Sequence, residues 1–148
     1  MSRPPFYIVL QTRDLSESRR FYGGVLGGRE VNGTADAATF DLYGHHWVCQ
    51  WNPALGRTGR ITTYYNFVQN HGLPVPRAGV ILEPTEWDQL AERLVRHQLD
   101  FMVEPTRRFR GRPNEESLMI FLDPSGNGLE FKCLHEDCAS APAGSLTQ

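Results

Sequence analysis

Residues 6–12 (FYIVLQT) are dense in aromatic and β-branched side chains, and a turn-forming stretch follows, so the pattern predicts a first strand there. From Asp14 the spacing becomes helical. Glu17 stands three residues after Asp14 as at a boxed helix start, and Leu15, Tyr22 and Leu26, with Phe21 and Val25, supply one apolar side. Gly23-Gly24 weaken this helix and Gly27-Gly28 end it. Three short strands are expected next, around Glu30–Asn32, Ala38–Tyr43 and Trp47–Trp51, with Gly44-His45 as the last turn.

The second half repeats the order. Arg77–Leu82 reads as a strand, and Thr85, with Asp88 at the box position, is expected to cap a helix. In that helix Trp87, Leu90, Ala91 and Leu94 recur at helical spacing. Phe101–Val103 begins another strand. Leu118–Leu122 and Leu129–Leu134 follow, joined by the turn Asp123-Pro124-Ser125-Gly126-Asn127. Two β-α-β-β-β copies therefore share the chain, and such a repeat says more about architecture than any single motif. Tyr7 and Arg77 stand 70 positions apart but the hairpin glycines Gly44 and Gly126 stand 82 apart, which places about twelve extra residues in the second copy. The loop 104–117 (EPTRRFRGRPNEES) is where they are expected.

One domain over residues 5–134 is expected: a first module at 5–51, a crossover at 52–76 and a second module at 77–134. Residues 135–148 read as a disordered tail. The predicted class is α+β, with two βαβββ modules forming a cupped mixed sheet.

Composition narrows the chemistry. At 148 residues with 40% hydrophobic and 22% charged residues, the chain has the make-up of an ordinary globular domain. A net charge of −2 gives no basic field, so neither nucleic acid nor an anionic membrane surface is expected as partner. Glutamates dilute the one basic cluster (Arg107, Arg108, Arg110, Arg112), and no aromatic ladder accompanies it. No apolar run approaches the roughly 18 residues of a membrane span, and MSRPPFYIVL lacks a signal-peptide core. Cys49, Cys133 and Cys138 are an odd set without metal-type spacing, and read as reduced thiols of a cytoplasmic protein.

The repeat, the early DLSESRRFYGGVLGG and the late FLDPSGNGLEFK resemble the vicinal-oxygen-chelate superfamily of glyoxalase I, bleomycin-resistance proteins and extradiol dioxygenases. HGLPVPRAGVILEPTEWDQLAERL resembles its small extradiol dioxygenase-like members. The resemblance spans about Pro5 to Lys132 and implies a homodimer. It also implies metal ligands on the first strand of each module and on the last strand, positions held here by Tyr7, Arg77 and Glu130. Only Glu130 suits a metal, because a guanidinium has no lone pair to give. No cofactor is therefore expected, and a divalent Fe, Mn or Zn ion is the alternative.

In place of a metal, Tyr7, Arg77 and Glu130 are read as a catalytic set. Arg77 would bind a substrate carboxylate, enolate or phenolate oxygen, and Glu130 or Tyr7 would move a proton. A structural ion pair filling a vestigial site is the alternative for Arg77 and Glu130. Strand alternation puts Val48 and Gln50 on one face with Tyr7 and Val9, and Glu130 with Lys132, while Trp47, Cys49 and Trp51 point the other way. Val9, Val48, Gln50, Phe67, Phe109 and His71 are the expected substrate contacts, and a pocket of this kind suits a flat aromatic or polyketide-like molecule. His45 and His46 are expected at an exposed turn. Three functions remain: a metal-independent isomerase, cyclase or lyase acting on a small oxygenated organic molecule, a non-catalytic binder of the bleomycin-resistance type, and a metal-dependent dioxygenase or glyoxalase-like lyase.

Overall fold

The computed structural model describes residues 3–68 and 71–135, except the side chains of Val68 and His71. The fold is α+β. Strand β1 (Tyr7–Thr12) leads into helix α1 (Leu15–Ser18), whose N-cap Asp14 accepts a hydrogen bond from the Glu17 amide at 3.0 Å. The helix continues as a π-helix over Arg19–Val25, closed by the Leu26 N–H donating to the Phe21 carbonyl at 2.8 Å. At its exit no side chain fits at Gly28, where a Cβ would lie 2.9 Å from the Tyr22 carbonyl oxygen.

Strands β2 (Arg29–Gly33), β3 (Ala37–Leu42) and β4 (His45–Trp51) complete a sheet of order β1-β4-β3-β2, with β1 and β4 parallel. The β3–β4 turn uses Tyr43 (φ 54°) and Gly44 (φ 83°), the left-handed pair of a tight hairpin. His45 is therefore strand rather than turn. It pairs with Leu42, and its Nδ1 accepts from the Phe6 amide at 3.1 Å.

The crossover, expected without regular structure, holds a 3-10 turn at Pro53–Leu55 and an antiparallel pair, β5 (Tyr64–Val68) and β6 (His71–Val75). The second module starts with β7 (Arg77–Ala78), much shorter than the predicted strand. Gly79 crosses so close to β10 (Gly128–Leu134) that a Cβ there would fall 1.5 Å from the Glu130 carbonyl oxygen. Pairing resumes at Ile81, which bridges Lys132 in parallel.

Helix α2 (Pro84–Arg96) begins one residue before the expected cap. Pro84, with φ preset and no N–H to lose, takes the first turn, so Glu83 is the N-cap and Thr85 lies inside the helix. Strand β8 (Phe101–Arg108) runs well into the predicted loop to pair with β9 (Glu116–Leu122), and only Phe109–Glu115 remain as the connection. The second sheet has the order β7-β10-β9-β8.

The chain forms two compact units. One contains the N-terminal part through Arg77 together with Leu122–Gly128, and the other contains Ala78–Phe121 together with the chain from Leu129. In the first, Tyr22 is fully buried, stacked on Phe40 (centroids 5.9 Å apart) and edge-on to Phe21 (5.2 Å). In the second, Phe121 stacks on Phe131 at 6.0 Å, and Leu90, Ala91 and Leu94 bury the apolar stripe of α2. The Trp87 indole N–H donates to the Phe131 carbonyl at 2.9 Å, which satisfies its polar atom while its ring fills the core. Cys49 and Cys133 are buried free thiols; Cys138 and the tail beyond His135 lie outside the described residues. Among the described residues no helix is long and apolar enough to cross a membrane.

Candidate functional site

In the first unit the parallel register of β1 and β4 sets Tyr7 beside His46, Val9 beside Val48, and Gln11 beside Gln50. Adjacent strands in register present neighbouring residues on one face, so these six form a continuous surface. Trp47 and Cys49 are buried on the other face, as alternation predicts. The surface is open: Tyr7 is 65% and Val9 49% exposed, and Gln50 is exposed. His46, expected at an exposed turn, is half-buried in this row.

Phe67 lies on β5 opposite Gly72 and is 83% exposed. His71 occupies β6, and its side chain lies outside the described residues. Arg77 is half-buried and donates from Nη1 to the Pro74 carbonyl at 2.9 Å, which fixes the end of its guanidinium to the crossover backbone.

In the second unit Glu130 stands at the edge of a charge cluster centred on Glu116. Glu116, 9% exposed, accepts from Arg108 Nη2 at 2.6 Å and pairs with Lys132 Nζ at 3.1 Å. The same Lys132 ammonium stands 4.0 Å from the Glu130 carboxylate. Burial raises the Glu116 pKa, but hydrogen bonds from Arg108 and Lys132 outweigh it, and the carboxyl is held below its ordinary value. Phe109 adopts a left-handed conformation (φ 57°), and the Arg108 guanidinium carbon sits 5.4 Å from its ring centroid.

Arg108 and Glu116 are the members of this cluster that sequence reasoning left in a solvated loop. Extending the apolar run of β9 two residues upstream through Ser117 places Glu116 on the strand, paired with Arg108. Two members of the basic run are paired: Arg107 hydrogen bonds Glu115, as Arg108 does Glu116.

The donor set does not fit a divalent metal. The positions expected to ligate carry a phenol, a guanidinium and one carboxylate, and the guanidinium has no lone pair and is spent on the Pro74 carbonyl. The Glu130 carboxylate has an ammonium beside it, and among the described residues no three His, Cys, Asp or Glu side chains converge.

A sequence profile of the Glyoxalase/Bleomycin resistance protein/Dioxygenase superfamily matches residues 6–131. Among solved structures, a glyoxalase/bleomycin resistance protein/dioxygenase from Alicyclobacillus acidocaldarius is similar at 27% identity and TM-score 0.72, over 95% of this chain and 99% of that one. A glyoxalase/dioxygenase from Nostoc punctiforme shares the fold at 19% identity and TM-score 0.65, over 89% and 91%. A glyoxalase/bleomycin resistance protein/dioxygenase from Nocardioides does so at 22% identity and TM-score 0.59, over 90% and 85%. Comparison with curated proteins gives no match. With the profile spanning both βαβββ copies, the chain belongs to the Glyoxalase/Bleomycin resistance protein/Dioxygenase superfamily.

Proposed function

We propose that this chain is a metal-independent member of its superfamily, a cytoplasmic homodimer. It binds a small oxygenated organic molecule, aromatic or polyketide-like, and moves a proton on it in an isomerase, cyclase or lyase step. One observation carries the reading. The Lys132 ammonium lies between the carboxylates of Glu116 and Glu130, so a built-in cation supplies positive charge beside the glutamate that the family resemblance would give to a metal. Arg108 neutralises Glu116 from its other side. Glu130 is the proton-moving group in this proposal. Tyr7 and Arg77 enter through their chemistry, as a phenol and a guanidinium that donate to a carboxylate, enolate or phenolate oxygen. Two buried free thiols, Cys49 and Cys133, support a reducing compartment.

A non-catalytic binder of the bleomycin-resistance type is the second reading, favoured by the open face that carries exposed Tyr7 and Val9. The deciding experiment incubates purified protein with aromatic and polyketide-like carbonyl compounds, with and without a chelator, and follows products by mass spectrometry. The proposal expects turnover indifferent to chelation, and a fall of about 100-fold or more in Glu130→Gln with binding retained. Binding without product would establish the second reading. Stoichiometric Fe, Mn or Zn, lost together with activity on chelation, would overturn both.

A further inference from the structure

The sheet of the second unit has a second face. Alternation along β10 turns Cys133 away from Lys132 and toward α2. On that side lies a cleft of about 630 Å³ whose lining includes Pro84, Trp87, Arg107, Arg110, Ser117 and His135. Its volume falls in the ordinary range for small-molecule sites, well above what a bare ion fills.

The polar groups that line this cleft are mostly donors. Ser117 is buried, and its hydroxyl lies 2.9 Å from His135 Nε2. Arg110 is exposed and makes no ion pair among the described residues, while Arg107 lines the cleft with its Nε held by Glu115. Pro84 brings the first turn of the 13-residue helix α2 to the cleft, and the N-cap Glu83 makes no side-chain bond to that turn. That first turn carries its own acidic residue, Glu86, so the helix end is not counted among the groups that attract the ligand. Asp88 is the one acidic residue in the lining, against two guanidinium groups and an imidazole. Trp87 adds an aromatic edge for an organic body.

We propose that this cleft is a second ligand site, which holds a small organic molecule by an oxyanion group, a carboxylate or a phosphate. Arg110 pairs with the anion. The His135 ring donates Nε2–H to Ser117 Oγ, and the serine hydroxyl hydrogen turns to the ligand, so each donor in the chain has one acceptor. Glu115 bonds Arg107 through its carboxylate and accepts the His135 backbone N–H at its carbonyl, 3.0 Å away. The site uses none of the groups assigned to proton transfer above, and it stands or falls separately from that reading.

The test titrates isotope-labelled full-length protein with phenyl phosphate, with benzoate, and with benzyl alcohol as the uncharged control, and follows side-chain and amide resonances by NMR. Saturable shifts at Arg110, Ser117 and His135 are expected with the anions and not with the alcohol; the tighter of the two anions identifies the headgroup. Arg110→Glu lies on an exposed turn and is expected to fold with an unchanged melting temperature and to bind at least about tenfold more weakly. Ser117→Ala should weaken binding in the same direction. Wild-type affinity in the folded Arg110→Glu protein, equal shifts with benzyl alcohol, or no saturable shift with either anion would each overturn the proposal.

Discussion

The Tyr22 hydroxyl donates a 2.7 Å hydrogen bond to Asp123 Oδ2, joining residues 101 positions apart. Asp123 opens the turn between β9 and β10, and its carboxylate also accepts from the Ser125 amide, the Asn127 amide and Asn127 Nδ2 at 2.7–2.9 Å. Asn127 Nδ2 also donates to the Gln11 carbonyl, and Ser125 Oγ accepts from the Arg13 amide. The hairpin tip of the second copy is thereby built into the first unit. Burial pushes the Asp123 carboxyl and the Tyr22 phenol up in pKa, and these hydrogen bonds return part of the cost on the Asp123 side.

Tyr22→Phe removes one donor from that buried carboxyl while keeping the ring stacked on Phe40. The expected cost is about 1–3 kcal/mol, read as a fall in melting temperature of roughly 3 °C per kcal/mol. Asp123→Ala, which strips four hydrogen bonds at once, should cost more.

Gly79→Ala tests the close approach of the chain to Glu130. A Cβ 1.5 Å from a backbone oxygen cannot be absorbed by a rotamer change, so the strand must leave β10. A loss of about 3 kcal/mol or more is expected by chemical denaturation, accompanied by loss of whatever turnover depends on Glu130. Gly72→Ala is the control, since its Cβ would meet only the Phe67 ring edge at 3.9 Å.

Glu116 predicts an acid limb in stability. Its folded-state pKa is depressed, so its contribution is present above the ordinary glutamate value of about 4.3 and is lost as pH falls below it through the folded value. Glu116→Gln should lower the melting temperature near neutral pH by an amount worth about 1–2 kcal/mol, and should flatten its decline below about pH 4.3. Scanning calorimetry across pH checks both slopes. An unchanged acid limb would show that Glu116 is not linked to folding.

Cys49 should be inert. Burial first, and the Asp123 charge second, push its thiol up to about 12, so only about 1 in 10,000 molecules carries the thiolate at pH 8 even before access is considered. Maleimide labelling of Cys49, followed by peptide mass spectrometry, is expected to proceed only at the rate at which the first unit opens. Rapid labelling in the native state would contradict the packing.

Most of the secondary structure was legible because each element carries a local cause. Asp14 caps α1, Trp87, Leu90, Ala91 and Leu94 mark the buried stripe of α2, and alternation in β4 separates Val48 from Trp47 and Cys49. The misread segments are those where a distant strand supplies the reason. Glu104–Arg108 looks like loop until β9 pairs with it, and Gly79 looks like mid-strand until Glu130 passes beneath it.

The candidate site divides in the same way. Local pattern was enough to read two βαβββ copies and the shared face of Tyr7, Val9, Val48 and Gln50, while the ligand positions that Arg77 cannot fill came from the family resemblance. Folding in three dimensions decided which charges meet. Lys132 reaches Glu116 and Glu130, Arg108 closes on Glu116, and Tyr22 finds Asp123. Periodicity reports which side of its own strand or helix a residue occupies, whereas ion pairs and buried hydrogen bonds depend on sheet register and on contacts between residues far apart in the chain.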